Sequence, residues 1–205
     1  MVAVQTDDLP PMTVTEYLAF ADAQEIKYEY HAGQVYAMTG ASVRHNTIVA
    51  STIIHVGGQL ADRDCTVNSS DTRVFIASTR SYRYPDVTVF CDEPAYWEER
   101  TDTITNPVLL VEVLSPGTAV RDYNDKLEEY TQIASLQAYV IISQDKPKVE
   151  VYRRDESGKW IYEFVTGLDA EITVPIHDIN LRLSLAEIYR RVRWGEDGDP
   201  NNDPR

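Results

Sequence analysis

The chain is 205 residues long, enough for one domain with its own core and too short for two comfortable ones. Hydrophobic residues at 43% and charged residues at 25% match soluble globular proteins and exclude a disordered or fibrous chain. A net charge of -14 and a pI near 4.6 run against the basic footprint of an ordinary nucleic-acid binder.

No uncharged apolar run approaches the roughly 20 residues that span a bilayer, and the first residues show no basic segment followed by an apolar one. A cytoplasmic protein is the expectation. Cys65 and Cys91 lie in unrelated contexts without zinc-site spacing, and two small buried thiols are expected. One domain is expected over 12–193, with 1–11 and 194–205 as flexible termini; the latter is rich in Gly, Pro, Asn and Asp and has little apolar surface to bury.

Thr13 and Glu16 form a capping-box pattern ahead of Tyr17, Leu18 and Phe20, which predicts a short helix from about residue 13. Two β-type runs around 28–30 and 34–38 flank Gly33, the signature of a hairpin. Ile48, Val49, Thr52, Ile53, Val56 and Leu60 recur at three and four residues, predicting a long amphipathic helix over 42–60. Strands are predicted at 65–68, 73–76 and 84–91. The nearly continuous apolar run 106–114 predicts a strand covered on both faces, central in its sheet. Ser115, Pro116 and Gly117 break it. A helix over 118–134 follows, with Tyr123, Leu127, Tyr130 and Ile133 on one face, and then a strand over 138–143. Strand, helix and strand of these lengths form a βαβ unit, so the two strands are expected to be parallel neighbours. A meander over 149–165 turns at 155–158, and a last helix begins at the Ser184 and Glu187 capping box, fading near Arg193.

The chemically informative residue is Glu112, in the middle of VLLVEVL. A carboxylate among aliphatic neighbours has to be protonated, paired or bound to a cation, because an isolated buried charge costs several kcal/mol. Pairing with Arg73, Arg83 or Arg121 is one reading, and cation binding is the other. Asp86, after Pro85 at the start of an alternating β-branched run, supplies a second carboxylate on a strand that can pair with that of Glu112. Two carboxylates plus waters and substrate phosphates are a common Mg²⁺ donor set. Such a cation polarises a phosphoryl oxygen and eases ionisation of water, which assists phosphodiester hydrolysis. Lys126, about two turns into the next helix, is the candidate cation over the site; a solvated helix lysine is the competing reading.

Glu29 in the first hairpin, Tyr84, Pro85 and Asp86, the run Leu110 to Pro116 around Glu112, then Arg121, Asp122, Lys126 and Tyr130, occur in an order that resembles the Uma2 family. These are restriction-endonuclease-like proteins of the PD-(D/E)xK nuclease superfamily. The resemblance covers about 12–192 and implies a mixed α+β core of order αβββαβ, with an added N-terminal hairpin and C-terminal strands and helix. It implies Mg²⁺ or Mn²⁺ held by Asp86 and Glu112, and Lys126 as a relocated lysine. The superfamily's usual lysine position, two residues after the second acid, is Leu114 here. Glu29 corresponds to an early acid near the metal, with an exposed hairpin residue as the alternative. His45 is similar to a recurrent histidine, with a surface or packing role as the alternative.

The implied activity is DNA endonuclease cleavage, by a homodimer that acts on two strands. Arg73, Arg83 and Arg121 are the candidate phosphate contacts. An inactive nuclease-fold interaction module and a small-substrate phosphoesterase remain alternatives, the net acidity favouring both.

Overall fold

The computed structural model describes residues 2–6, 9–114 and 119–194, and of residues 2, 4, 5 and 119–122 the backbone alone. The predicted turn after Leu114 and the tail from residue 195 lie outside the described residues. Residues 2–5, read from sequence as part of a flexible terminus, instead form strand β1 (Val2–Gln5), paired antiparallel with β3 (Gln34–Thr39).

Helix α1 (Val14–Asp22) starts at the expected capping box: the Glu16 amide donates to the Thr13 hydroxyl, and the Thr13 amide to the Glu16 carboxylate. It buries Tyr17, whose ring stacks on that of Tyr30 at 4.9 Å. β2 (Tyr28–His31) and β3 close the expected hairpin through Ala32 and Gly33, both at positive φ (48° and 86°). Two such residues in succession match the natural strand twist, and glycine takes the second place without strain. Alternation along β2 sends Tyr28 and Tyr30 towards α1 and turns Glu29 and His31 the other way.

Helix α2 (Val43–Leu60) is capped by the Ser42 hydroxyl, which accepts from the His45 amide, and buries Ile48, Thr52, Val56 and Leu60 at four-residue spacing. β4 (Cys65–Ser69), β5 (Arg73–Ile76), β6 (Ser81–Arg83) and β7 (Val87–Cys91) follow. The strand expected over 84–91 therefore begins three residues late. Pro85 has no N–H to donate to a ladder, so pairing lapses over 84–86 and the chain changes sheets there.

The remaining elements are β8 (Tyr96–Trp97), β9 (Arg100–Ile104), β10 (Leu109–Leu114), α3 (Ala119–Tyr130), β11 (Ala138–Ser143), β12 (Lys148–Arg154), β13 (Trp160–Thr166), β14 (Glu171–Ile176), β15 (Ile179–Ser184) and α4 (Leu185–Ile188). One sheet has the order β1-β3-β2-β6-β5-β9-β8, and a second has β13-β12-β11-β10-β7-β4. β10 is central in the second sheet, parallel to β11 and antiparallel to β7, as the apolar run and the βαβ spacing require. Its Leu109, Val111 and Val113 pack towards α2, β14–β15 and α4, while Leu110 packs under α3. The architecture is the mixed α+β fold expected, divided between two main sheets; β8, β9 and the β14–β15 hairpin carry no clear sequence signal.

The cysteines correct an expectation. Cys65 and Cys91 are direct cross-strand partners in β4 and β7 and form a disulfide. Sequence spacing says nothing of the register that sets them opposite. The helix expected up to Arg193 is also a single turn, and Ser184 makes no side-chain cap bond.

Candidate active site

Asp86 and Glu112 meet at the seam between the two main sheets. The ladder of β7 and β10 ends at Val87 opposite Val111, so one further step sets Asp86 beside Glu112, and opposed residues share a sheet face. The Val113 amide donates to Asp86 Oδ2 at 2.9 Å, which ties the acid across to β10. His45, on the first turn of α2, places Nε2 3.1 Å from the same oxygen. Neither ring nitrogen is aligned for a hydrogen bond.

Glu112 accepts from Lys126 Nζ at 2.8 Å and from the Tyr130 hydroxyl at 2.9 Å, both on Oε1. Among the described residues nothing donates to its Oε2. Lys126 and Tyr130 lie one turn apart on α3, together with Glu129, on the face that covers the sheet. Lys126 also lies 3.5 Å from Glu29. Glu29 accepts from Arg83 at 3.1 Å and from the Tyr84 amide at 3.0 Å, and Arg83 continues to Glu129 at 2.7 Å. Glu129 in turn contacts His31 Nδ1 at 2.5 Å. β2 supplies Glu29 and His31, β6 supplies Arg83, β10 supplies Glu112, and α3 supplies Lys126 and Glu129, so the cluster draws on both sheets.

Among the described residues, four buried carboxylates, Asp86, Glu112, Glu29 and Glu129, stand with two permanent cations, Lys126 and Arg83. Burial, reinforced by the charges of Asp86 and Glu29, pushes Glu112 up to about 7 against the pull of Lys126. Burial opposes ionisation of Glu29 and Asp86 as well, but Lys126 and Arg83 hold Glu29 down, and His45 holds Asp86 down. Lys126 is raised despite burial, because Glu112 and Glu29 flank it. Lys126 therefore stays protonated, a fixed charge rather than a base.

Among the described residues no three His, Cys, Asp or Glu side chains stand together as a ligand set, and Asp86 and Glu112 are the residues that would hold a small divalent cation. Two carboxylates are enough for a cation completed by waters and phosphate oxygens, and hard carboxylate oxygens suit Mg²⁺ or Mn²⁺. A groove of about 340 Å³ lined by Val43, Asn46, Ala50, Ile54 and Arg191 runs along the outside of α2 and shares no residue with this cluster.

The structure brings together Asp86, Glu112, Lys126, Glu29 and His45. Lys126 is 7% exposed and paired, which removes the solvated-lysine reading; Glu29 is fully buried, which removes the exposed-hairpin one. Two expected phosphate contacts are corrected. Strand alternation turns Arg73 inward to Asp102 at 2.7 Å and Arg83 inward to Glu29 and Glu129, leaving them 2% and 4% exposed. Neither pairs with Glu112. The side chain of Arg121 lies outside the described residues. Glu129 was missed, and Tyr130 entered only among the residues of the resemblance with no role at the site, although their spacing of three and four residues from Lys126 places them on its face.

This fold, with acids gathered at a sheet seam under a helix lysine, is of the restriction-endonuclease-like class. The crystal structure of "a putative nuclease belonging to DUF820" from Anabaena variabilis matches with a TM-score of 0.70 over 88% of this chain and 98% of that one, at 20% identity, a likeness in fold. The model of the Uma2 family, described as "Putative restriction endonuclease", matches residues 14–186, and the chain belongs to that family. Two uncharacterized proteins of Synechocystis sp. (strain PCC 6803) are similar along nearly their whole lengths. One, slr1290, is 33% identical over 90% of this chain and 95% of its own. The other, sll1609, is 34% identical over 84% of this chain and 96% of its own.

Proposed function

We propose that the protein is a metal-dependent nuclease that hydrolyses phosphodiester bonds of DNA, with Asp86 and Glu112 as the ligands of one Mg²⁺ or Mn²⁺. The observation that carries this reading is the placing of two buried carboxylates, Asp86 and Glu112, side by side where the β7–β10 ladder ends, with Lys126 bonded to one of them. When bound, the cation would supply Lewis-acid polarisation of the scissile phosphate and ease ionisation of water. The chain's own groups do the positioning. The Val113 amide and His45 fix Asp86, while Lys126 and Tyr130 fix Glu112 through one oxygen. Lys126, held protonated by Glu112 and Glu29, adds a positive charge where phosphorane charge develops. Glu29, Arg83 and Glu129 hold Lys126 in place from behind.

Incubating plasmid DNA with Mg²⁺ or Mn²⁺ tests this, with Asp86→Ala and Glu112→Ala as controls. Loss of nicking in both variants is expected, and nicking that survives both substitutions refutes the assignment. A two-fold homodimer, which lets paired sites cut two strands, belongs to the same proposal, and sedimentation of the full chain checks it. So does a cytoplasmic location, against which the Cys65–Cys91 disulfide weighs, since disulfides are uncommon in reducing compartments. Among the described residues no helix is long and apolar enough to cross a membrane.

One observation favours a second reading. Asp86 and Glu112 are 2% and 5% exposed, as suits an interaction module that kept the fold and lost the chemistry. Calorimetry separates the two: that module takes up no Mn²⁺ at millimolar metal.

A further inference from the structure

Four cross-strand pairs share one face of β12 and β13: Lys148 with Thr166, Glu150 with Phe164, Tyr152 with Tyr162, and Arg154 with Trp160. The intervening Val149, Val151 and Val165 turn to the opposite face and its core, so alternation gathers four aromatic rings and two cations on one side. The rings run on from one another, Tyr152 to Tyr162 at 4.9 Å and Tyr162 to Phe164 at 6.1 Å between centroids. Lys148 lies 5.6 Å over Phe164, and Arg154 lies 4.5 Å over Trp160. The one acid, Glu150, is held by Lys148 at 2.6 Å and by the Tyr162 hydroxyl at 2.7 Å. In a chain of net charge -14 this strip has one cation more than acid. α3 and the turn after it pack over Tyr139, part of Tyr152 and Trp160, whose indole donates to the Thr131 carbonyl, leaving Tyr162 46% and Phe164 56% exposed.

The strip lies on the same sheet face as the carboxylate site, with Tyr139 and Ile141 between them buried under α3. One register row runs Glu112, Ile141, Glu150, Phe164 across four neighbouring strands, which at about 4.8 Å per strand separates the backbones of Glu112 and Phe164 by about 14 Å. The next row runs Leu110, Tyr139, Tyr152, Tyr162, and the Tyr130 that bonds Glu112 packs edge-on against Tyr139 at 5.0 Å.

We propose that the face of β12 and β13 is a stacking platform for unpaired bases of the nucleic-acid strand whose backbone reaches Glu112. The proposal rests on the nuclease reading and narrows its substrate to DNA with a single-stranded segment. Exposed rings interleaved with cations hold single strands because every base has a π face and every linkage a negative charge. Arg154 is engaged by the carbonyls of Leu136, Gly158, Thr131 and Ile133, so Lys148, over the exposed Phe164, is the cation of the strip that would meet a phosphate. A second copy of the chain in a two-fold contact would instead set two such strips against each other.

The test measures anisotropy of a fluorescein-labelled oligothymidylate and of a blunt duplex of equal length, with the full chain in EDTA. Wild type should bind the single strand more tightly than the duplex. The double variant Tyr162→Ala with Phe164→Ala should weaken single-strand binding on the order of tenfold or more while its far-UV circular dichroism is unchanged. Tyr162→Phe with Phe164→Tyr should restore it. Unchanged single-strand affinity in the alanine variant overturns the platform, as does a dimer that falls to monomer on substitution with affinity intact. Wild type that binds neither probe overturns the platform and leaves the nuclease reading to the nicking assay. Single-strand binding that depends on Tyr162 and Phe164, without metal-dependent nicking, supports the platform and removes only the catalytic reading.

Discussion

Replacing Glu112 with Gln keeps the side chain's shape and removes its ionisation. In the folded, cation-free protein the Glu112 pKa is raised from 4.5 to about 7, first by burial and then by the charges of Asp86 and Glu29. Between those values the native state keeps a proton that the unfolded chain has released. Wild-type stability therefore falls as pH climbs from about 4.5 to about 7 and stays at the lower value above it. A shift of that size corresponds to about 3 kcal/mol. Urea unfolding in EDTA should find Glu112→Gln close to wild type at about pH 4 and more stable by up to about 3 kcal/mol at pH 8. Taking the difference between the two proteins cancels the titrations they share. Adding Mg²⁺ at pH 8 should then stabilise wild type alone, by about 2.7 kcal/mol at a hundredfold excess over Kd. The opposite result refutes the reasoning. If Glu112→Gln is destabilised by about 3–5 kcal/mol at pH 8 without cation, Glu112 is an ionised structural partner of Lys126 and is not held for a cation.

Lys126→Met leaves Glu112 and Glu29 without their shared cation, so a loss of about 3–5 kcal/mol is expected in EDTA, partly recovered by Mn²⁺; equal loss with and without Mn²⁺ counts against a cation beside Glu112. Arg83→Met strands Glu29 and Glu129 together and should also cost about 3–5 kcal/mol, read by thermal unfolding and not relieved by metal. Glu129 is lowered to about 2, because hydrogen bonds from His31 and Arg83 and the Arg83 charge outweigh burial. Its stabilisation is present above the ordinary 4.5 and lost as pH falls towards 2, so Glu129→Gln should flatten the acid limb of the stability profile. An acid limb of unchanged slope contradicts that pairing. Leu110→Ala, which empties part of the core under α3, should cost about 2–5 kcal/mol in chemical denaturation.

The helices and the central strand were legible because their signals are local. The Thr13 and Glu16 capping box, the four-residue spacing of Ile48, Thr52 and Val56, and the apolar run around Glu112 each specify an element without reference to the rest of the chain. The anomaly of Glu112 and the lone Asp86 after Pro85 pointed to the site for the same reason. What the chain alone did not disclose depends on register and on sheet membership. Cys65 and Cys91 read as separate thiols until β4 and β7 are paired. Arg73 and Arg83 read as phosphate contacts until alternation turns them towards Asp102, Glu29 and Glu129. Pro85 read as part of a strand over 84–91, and only the two-sheet topology shows that pairing lapses there and delivers Asp86 to the seam. β1 and the β14–β15 hairpin owe their order to partners distant in sequence, which no window of neighbouring residues reveals.

Titrating Mn²⁺ into the full chain at pH 8 by isothermal calorimetry tests most directly whether Asp86 and Glu112 hold a divalent cation. One site per chain is expected, with heat abolished in Asp86→Ala and in Glu112→Gln. Uptake that persists in both variants, or none in wild type, contradicts the account.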